Sequence, residues 1–185
     1  MSGGIGNERV AAQTLAWVEH AVVGLNLCPF AKAPFAKGQI RCVVTDTDDA
    51  RVLLDTLCAE MRALVAADPS QTETTLLVHP NVLNDFDDFN DFLGAADAAL
   101  EDLQLDGVLQ IASFHPDYRF DGSDADDAAN ATNRAPYPTL HVLREASIER
   151  AVESDADAEA IVERNLQTLE ALGADGWAEL GAHWR

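Results

Sequence analysis

The sequence predicts a single α/β domain: a mostly parallel or mixed sheet of about four strands, packed by helices. Short β-branched runs alternate with longer stretches of helical periodicity. The connections between the first three runs are long enough to hold crossover helices. Hydrophobic residues make up 48% of the 185 positions, enough for one sizeable core. A domain takes roughly 100–200 residues, so one domain over residues 8–185 is expected.

Residues 1–7 are small and polar and read as a frayed start. From about Glu8 to Leu25, residues Ala11, Thr14, Leu15, Val18, Val22 and Leu25 fall on one helical face. Gly24 and Asn26 suit the end of that helix. Pro29 and Pro34 exclude a continuing helix and place Cys28 in an ordered turn. Gln39 to Val44 is β-branched and short, a first strand. Asp46 or Thr47 can cap a helix from about Asp48 to Ala67, with Leu53, Leu54, Leu57, Met61, Leu64 and Val65 inward. Thr74 to His79 is a second strand, apolar enough to be buried on both faces. A third helix starts near Asn84 or Asp85, with Phe86, Phe89, Leu93, Ala96, Leu100 and Leu103 inward. Asp85, Asp87 and Asp88 favour the positive end of that helix, and the loop lacks the Gly and closing Glu of a calcium-binding EF-hand.

Asp106-Gly107 makes a turn before a third strand, Val108 to Phe114. A polar loop, 115–138, leads to a fourth strand, Thr139 to Leu143. Ser147 can cap a short helix to about Val152. The last helix runs from about Asp157 to Leu172, using Ile161, Val162, Leu166 and Leu169, and Gly173 stops it. The tail, Trp177 to Arg185, is expected to dock on the body.

The net charge is −20, and Lys32 and Lys37 are the only lysines. Such a surface repels nucleic acid and anionic membranes, whose binding needs basic residues. No apolar run approaches the roughly 20 residues that span a bilayer, and no secretory leader is visible at the start of the sequence. Cys28, Cys42 and Cys58 are an odd number at wide spacings without Cys-x-x-Cys, which disfavours a disulfide framework and points to a reducing cytoplasm.

Chemistry concentrates between Ile111 and Arg144. Strand–helix–strand order implies parallel crossovers, so strands one to three share a carboxyl edge. His79 closes strand two and His115 closes strand three. Antiparallel pairing of strand four with strand three would bring His141 to the same rim. Asn81, Asp117, Tyr118, Asn130, Asn133, Arg134 and Tyr137 lie nearby, and these with Arg144 supply the binding and catalytic candidates. Clefts in α/β sheets form outside the carboxyl ends. Two uses follow. His79, His115 and His141 could hold a divalent metal, with Asp117 as a further ligand. Alternatively, a histidine could move a proton while Arg134 or Arg144 holds an anionic substrate. The bland reading of each residue is a hydrogen-bonded strand end, a satisfied core histidine or a turn former. Cys28 reads either as a reactive thiol or as a small buried anchor. The dinucleotide, phosphate-loop and serine-elbow signatures are absent from the sequence. Haem binding would rest on Cys28-Pro29 or one histidine.

Three strings carry a family resemblance: Gly24-Leu25-Asn26-Leu27-Cys28-Pro29-Phe30-Ala31, Gln110 to Tyr118, and Thr132 to His141. On these the chain resembles an uncharacterised bacterial family, domain of unknown function 1415, over nearly its whole length. The resemblance implies no activity. Ala135 stands where such proteins more usually have serine, which argues against a nucleophile there.

The expectation is therefore a cytoplasmic small-molecule enzyme using the His115 rim, with or without a divalent metal. The rivals are a non-catalytic small-ligand or haem-binding module, and an interaction protein with Trp177 and Trp184 exposed. A homo-oligomer is compatible with any of these. The acidity itself makes a prediction. Self-repulsion should destabilise the fold at low salt, so the melting temperature should rise as salt screens it. A melting temperature that stays flat from low to high sodium chloride would show that the charge is not a stability determinant.

Overall fold

The computed structural model describes residues 3–155 and 158–185, and the side chains of 6–150 and 159–185. Helix α1, Gly3–Trp17, passes without a break into a π-helical turn, Val18–Val23. Of the stretch expected to fray, Met1 and Ser2 lie outside the described residues, and Gly3 to Asn7 open α1. Helix α2, Lys32–Ala36, was not expected, because it contains Pro34. Pro34 occupies its first turn, where backbone N–H groups have no helical partner to lose.

Strand β1, Ile40–Val44, leads through helix α3, Ala50–Ala66, to β2, Thr74–Val78. Asp49 caps α3 by accepting from the Arg51 N–H. Helix α4, Phe86–Asp102, follows, with Asp85 accepting from the N–H groups of Asp87 and Asp88. After β3, Leu109–Phe114, the long loop holds one 3-10 segment, Ala128–Asn133. Then come β4, Thr139–Arg144, α5, Glu145–Asp155, and α6, Ala158–Leu180, which kinks at Gly173. The expected start of the last helix at Asp157 lies outside the described residues. Gly173 sits at φ 67°, which ends the regular helix as expected, but the chain resumes helix beyond it.

The sheet order is β1-β2-β4-β3. β1 pairs parallel with β2, and β4 runs antiparallel to both of its neighbours. The first three strands thus point one way, as the crossover argument requires. β4 pairs with β3 as anticipated, but it also inserts between β3 and β2. Thr139 is the register partner of both Val78 and Phe114, so the residues after those two strands flank the start of β4.

Every residue of β2 is buried, consistent with helices on both faces. On one face α3 and α4 enclose Leu53, Leu57, Met61, Leu77, Phe89, Leu140 and Val142. Each fully buried side chain of this size stabilises the fold by roughly 2 kcal/mol. On the other face Trp17 and Val18 pack with Leu76, Ala135 and Trp184. Val65 and Val162, expected inward, are 42% and 68% exposed. Each lies next to the buried stripe of its helix rather than within it. Trp184 is 8% exposed and meets Trp177 edge to face at 6.0 Å, so the two do not form an open contact patch. The tail docks because Trp184 completes the cluster around Trp17.

Gly24 is required by the π-helical turn. A β-carbon there would stand 2.3 Å from the His20 carbonyl oxygen, which is backbone and cannot rotate away. Gly94, inside α4, has open space at the same position. Gly24→Ala should therefore cost about 1–3 kcal/mol in urea unfolding, and Gly94→Ala should add about 0.5–1 kcal/mol. Equal effects of the two substitutions would refute the steric account.

Candidate functional site

His79 and His115 follow β2 and β3, and both rings turn to the α4 face. Side chains alternate across a strand, so His79 shares the face of Leu77, while His115 points away from the side taken by Phe114. Both are 0% exposed. Phe89 lies between them, with ring centroids 5.7 Å from His79 and 5.1 Å from His115. The backbone N–H of His79 donates to the Pro138 carbonyl, and that of His115 to the Asn133 carbonyl. Topology thus assembles this pair as the sequence suggested.

Three of the four ring nitrogens are already engaged. His115 Nδ1 accepts from the Asp117 N–H at 3.1 Å, which leaves the proton on Nε2, and Nε2 donates to the Leu83 carbonyl at 3.2 Å. His79 Nδ1 donates to the Val82 carbonyl at 2.9 Å. Its Nε2 is buried without a partner. Together the rings grip adjacent carbonyls of one loop. That loop holds Leu83 at φ 58°, an uncommon conformation for a bulky residue. No sequence signal announces it, since Gly or Asn is the usual choice. Burial pushes His79 down to about 4, reinforced by the neighbouring His115. Burial also lowers His115, against the pull of the Leu83 carbonyl and the Asp117 and Asp85 carboxylates.

His141 does not join them, which corrects the three-histidine metal site. It lies opposite Leu76 and Ala112 in mid-sheet, between Leu140 and Val142, whose side chains point to the α4 face. Its ring is therefore on the α1 face, 6.0 Å from Phe114. Nε2 meets the Thr74 hydroxyl at 2.7 Å, and that hydroxyl donates to the Val142 carbonyl. The ring keeps some accessible surface, yet the packing around it pushes the imidazole down to about 4. Among the described residues, no three His, Cys, Asp or Glu side chains are grouped to hold a metal ion.

Arg144 is also displaced. It ends β4 beside Leu109, at the opposite edge of the sheet. Its Nη2 donates to the carbonyls of Leu64, Ala67 and Thr72, closing the end of α3. A depression of about 420 Å³ lies at that edge, lined in part by Arg144 and Arg150. Arg150 turns its donors onto Ala146 and Ser147 of its own helix. Arg134 is spent on the Tyr118 and Ala125 carbonyls, and so it fastens the loop. Asn133 Nδ2 donates to the Ser113 carbonyl and Asn81 Nδ2 to the Asp46 carbonyl. The Tyr137 hydroxyl donates to Gln13 of α1. Burial raises the Cys28 thiol, against the backbone N–H groups of Phe30 and Ala31. No hydrogen bond or ring contact among the described residues links Cys28 to the rim.

Asp117 and Tyr118 remain on the rim. Asp117 is exposed. Tyr118 stands edge to face with Phe86 at 5.3 Å and with Phe120 at 5.0 Å. Phe86 in turn meets His115 at 5.4 Å. Arg119 reaches Asp87 at 3.6 Å, an exposed ion pair worth little by itself. Phe86 was expected only as an inward residue of its helix, and Arg119 and Phe120 were not singled out from sequence, although both directly follow Tyr118.

The histidines make stability depend on pH with a definite sign. Unfolded imidazoles titrate near 6.5. Folded His79 and His141 titrate at about 4, so below about pH 6.5 the unfolded chain binds more protons. Their contribution is complete above about 6.5 and is lost as pH falls toward 4, by roughly 2 kcal/mol per ring at pH 4.5. His141→Gln should unfold with a visibly smaller change in urea midpoint between pH 7 and 4.5 than the wild type. Carboxylate titration is common to both proteins, so identical slopes would refute the assignment.

A family model described as a protein of unknown function, DUF1415, matches residues 9–179. No curated protein and no solved structure matches the chain. Among the described residues no helix is long and apolar enough to cross a membrane. The match covers nearly the whole chain, including all four strands and both His-Pro turns, and the chain belongs to the DUF1415 family.

Proposed function

We propose that this chain binds a small organic molecule on the carboxyl rim, over Asp117, Tyr118 and Phe120, and that the imidazoles beneath are braces. The observation that carries this reading is the engagement of both His115 nitrogens by backbone, which leaves the ring no free site for a metal or a substrate proton. Tyr118 and Asp117 extend outward from that brace and meet solvent. The loop is anchored. Asn130, 0% exposed, accepts from the Phe120 N–H and donates to the Asp124 carbonyl.

An enzyme at this rim would use Asp117 as proton carrier, because His115 has no nitrogen to spare. Arg134 is poorly placed to hold its substrate, since Nε and Nη2 already donate to two carbonyls that fasten the loop. A haem iron fits poorly. The unpartnered His79 Nε2 is sealed in the core, and burial disfavours the Cys28 thiolate.

Thermal-shift screening against a metabolite mixture tests the proposal. Asp117→Asn and Phe120→Ala change exposed side chains and should alter the stability of the free protein by about 0.5 kcal/mol or less. Ligands that stabilise the wild type should lose most of their effect in both variants. Ligands that stabilise both variants as strongly as the wild type would place the binding site elsewhere.

A further inference from the structure

We infer that the ligand of this rim is an organic cation with a flat or methylated head, seated on the aromatic ledge of Tyr118 and Phe120; the inference rests on the rim being the binding site. An aromatic series climbs from the buried core to the surface. It begins at Phe89, passes Phe86 and Tyr118, and ends at Phe120, which is 39% exposed. The outer members are fixed in place. The Tyr118 N–H donates to the His115 carbonyl, its own carbonyl accepts from Arg134, and the Phe120 N–H is held by Asn130. A rigid, partly exposed aromatic pair offers ring faces with negative quadrupole potential to a partner, at little cost in ordering.

The charge around the ledge selects the sign of that partner. Asp85, Asp87, Asp117 and Asp121 neighbour its aromatic residues in sequence, Asp87 reaches Arg119, and the fields of Asp85 and Asp117 both reach His115. Against these four carboxylates stand two guanidinium groups: Arg119, turned toward Asp87, and Arg134, held on the Tyr118 and Ala125 carbonyls, so the balance stays negative. An anion would meet net repulsion here. A metal ion is also disfavoured, because the carboxylates are spread out and no three converge. Diffuse negative charge beside aromatic faces suits a large, weakly hydrated cation, which loses little solvation on binding and gains from the ring quadrupoles.

The test titrates the full-length chain with benzyltrimethylammonium, benzyl alcohol and benzoate, reading amide shifts of residues 117–120 by NMR. The cation should move these amides and bind roughly fivefold more tightly than the neutral alcohol, and benzoate should not move them. Asp117→Asn should bring the cation within about twofold of the alcohol, and Phe120→Ala should weaken the cation. Equal binding of cation and alcohol would overturn the inference while leaving the rim as the site. Rim amides unmoved by all three would also overturn it, and the rim reading would then be decided by the thermal-shift hits alone.

Discussion

Everything at the carboxyl edge depends on two neutral imidazoles holding two consecutive carbonyls. His79 grips Val82 and His115 grips Leu83, and the loop between β2 and α4 takes its shape from them. The left-handed Leu83 is tolerated because this pair over-determines its surroundings. Neutrality is the condition. A protonated His115 could not accept from the Asp117 N–H, and the turn that presents Tyr118 would lose a bond. Burial against Phe89 and Phe86 supplies that neutrality, so the core stabilises the fold and sets the protonation state of the rim together.

The molecule divides its charges by place. Its acidic groups lie largely on the outside, while Arg134 and Arg144 turn inward to backbone carbonyls, Arg144 through Nη2 with its Nε buried and unpartnered. Each closes a segment that would otherwise leave carbonyls unpaired: the long loop for Arg134 and the end of α3 for Arg144. Guanidinium suits this because several donors in one plane can reach carbonyls from different residues. In so acidic a chain these two cations read naturally as anion holders, yet their local partners are dipoles.

Strand directions were legible because helical connections force them, and with them the meeting of His79 and His115. The position of β4 was not. Antiparallel pairing with β3 follows from a connection without a crossover helix, but nothing in residues 139–144 says that β2 will close on its other side. His141 is the satisfied strand histidine of the alternative reading rather than a rim residue, because it lies two positions in from Thr139 and on the face opposite His79 and His115. Its place along the strand suggested the rim, but its face is set by register against Leu76 and Leu77, which a single sequence does not reveal. Pro34 argued against a helix that forms because the proline falls in its first turn. Within the site the residue types were visible. Their use as braces was not, because hydrogen bonds from His115 to Leu83 and from Arg134 to Ala125 span separations that no local pattern encodes.

The kink at Gly173 has a consequence for how the chain is made. It divides α6 into an arm bearing Leu169, which lies against Leu27 and Ala131, and an arm bearing Trp177 and Leu180, which reaches the cluster around Trp17. Trp17 and Leu76 emerge from a ribosome long before Trp184 does. Until Trp184 is made, the side of the sheet packed by Trp17 lacks part of its cover and presents an adhesive surface. Addition of the arm bearing Trp177 and Trp184 is therefore the step that closes this cluster, and a chain interrupted before Trp177 would leave Trp17 partly open to chaperones and to other nascent copies.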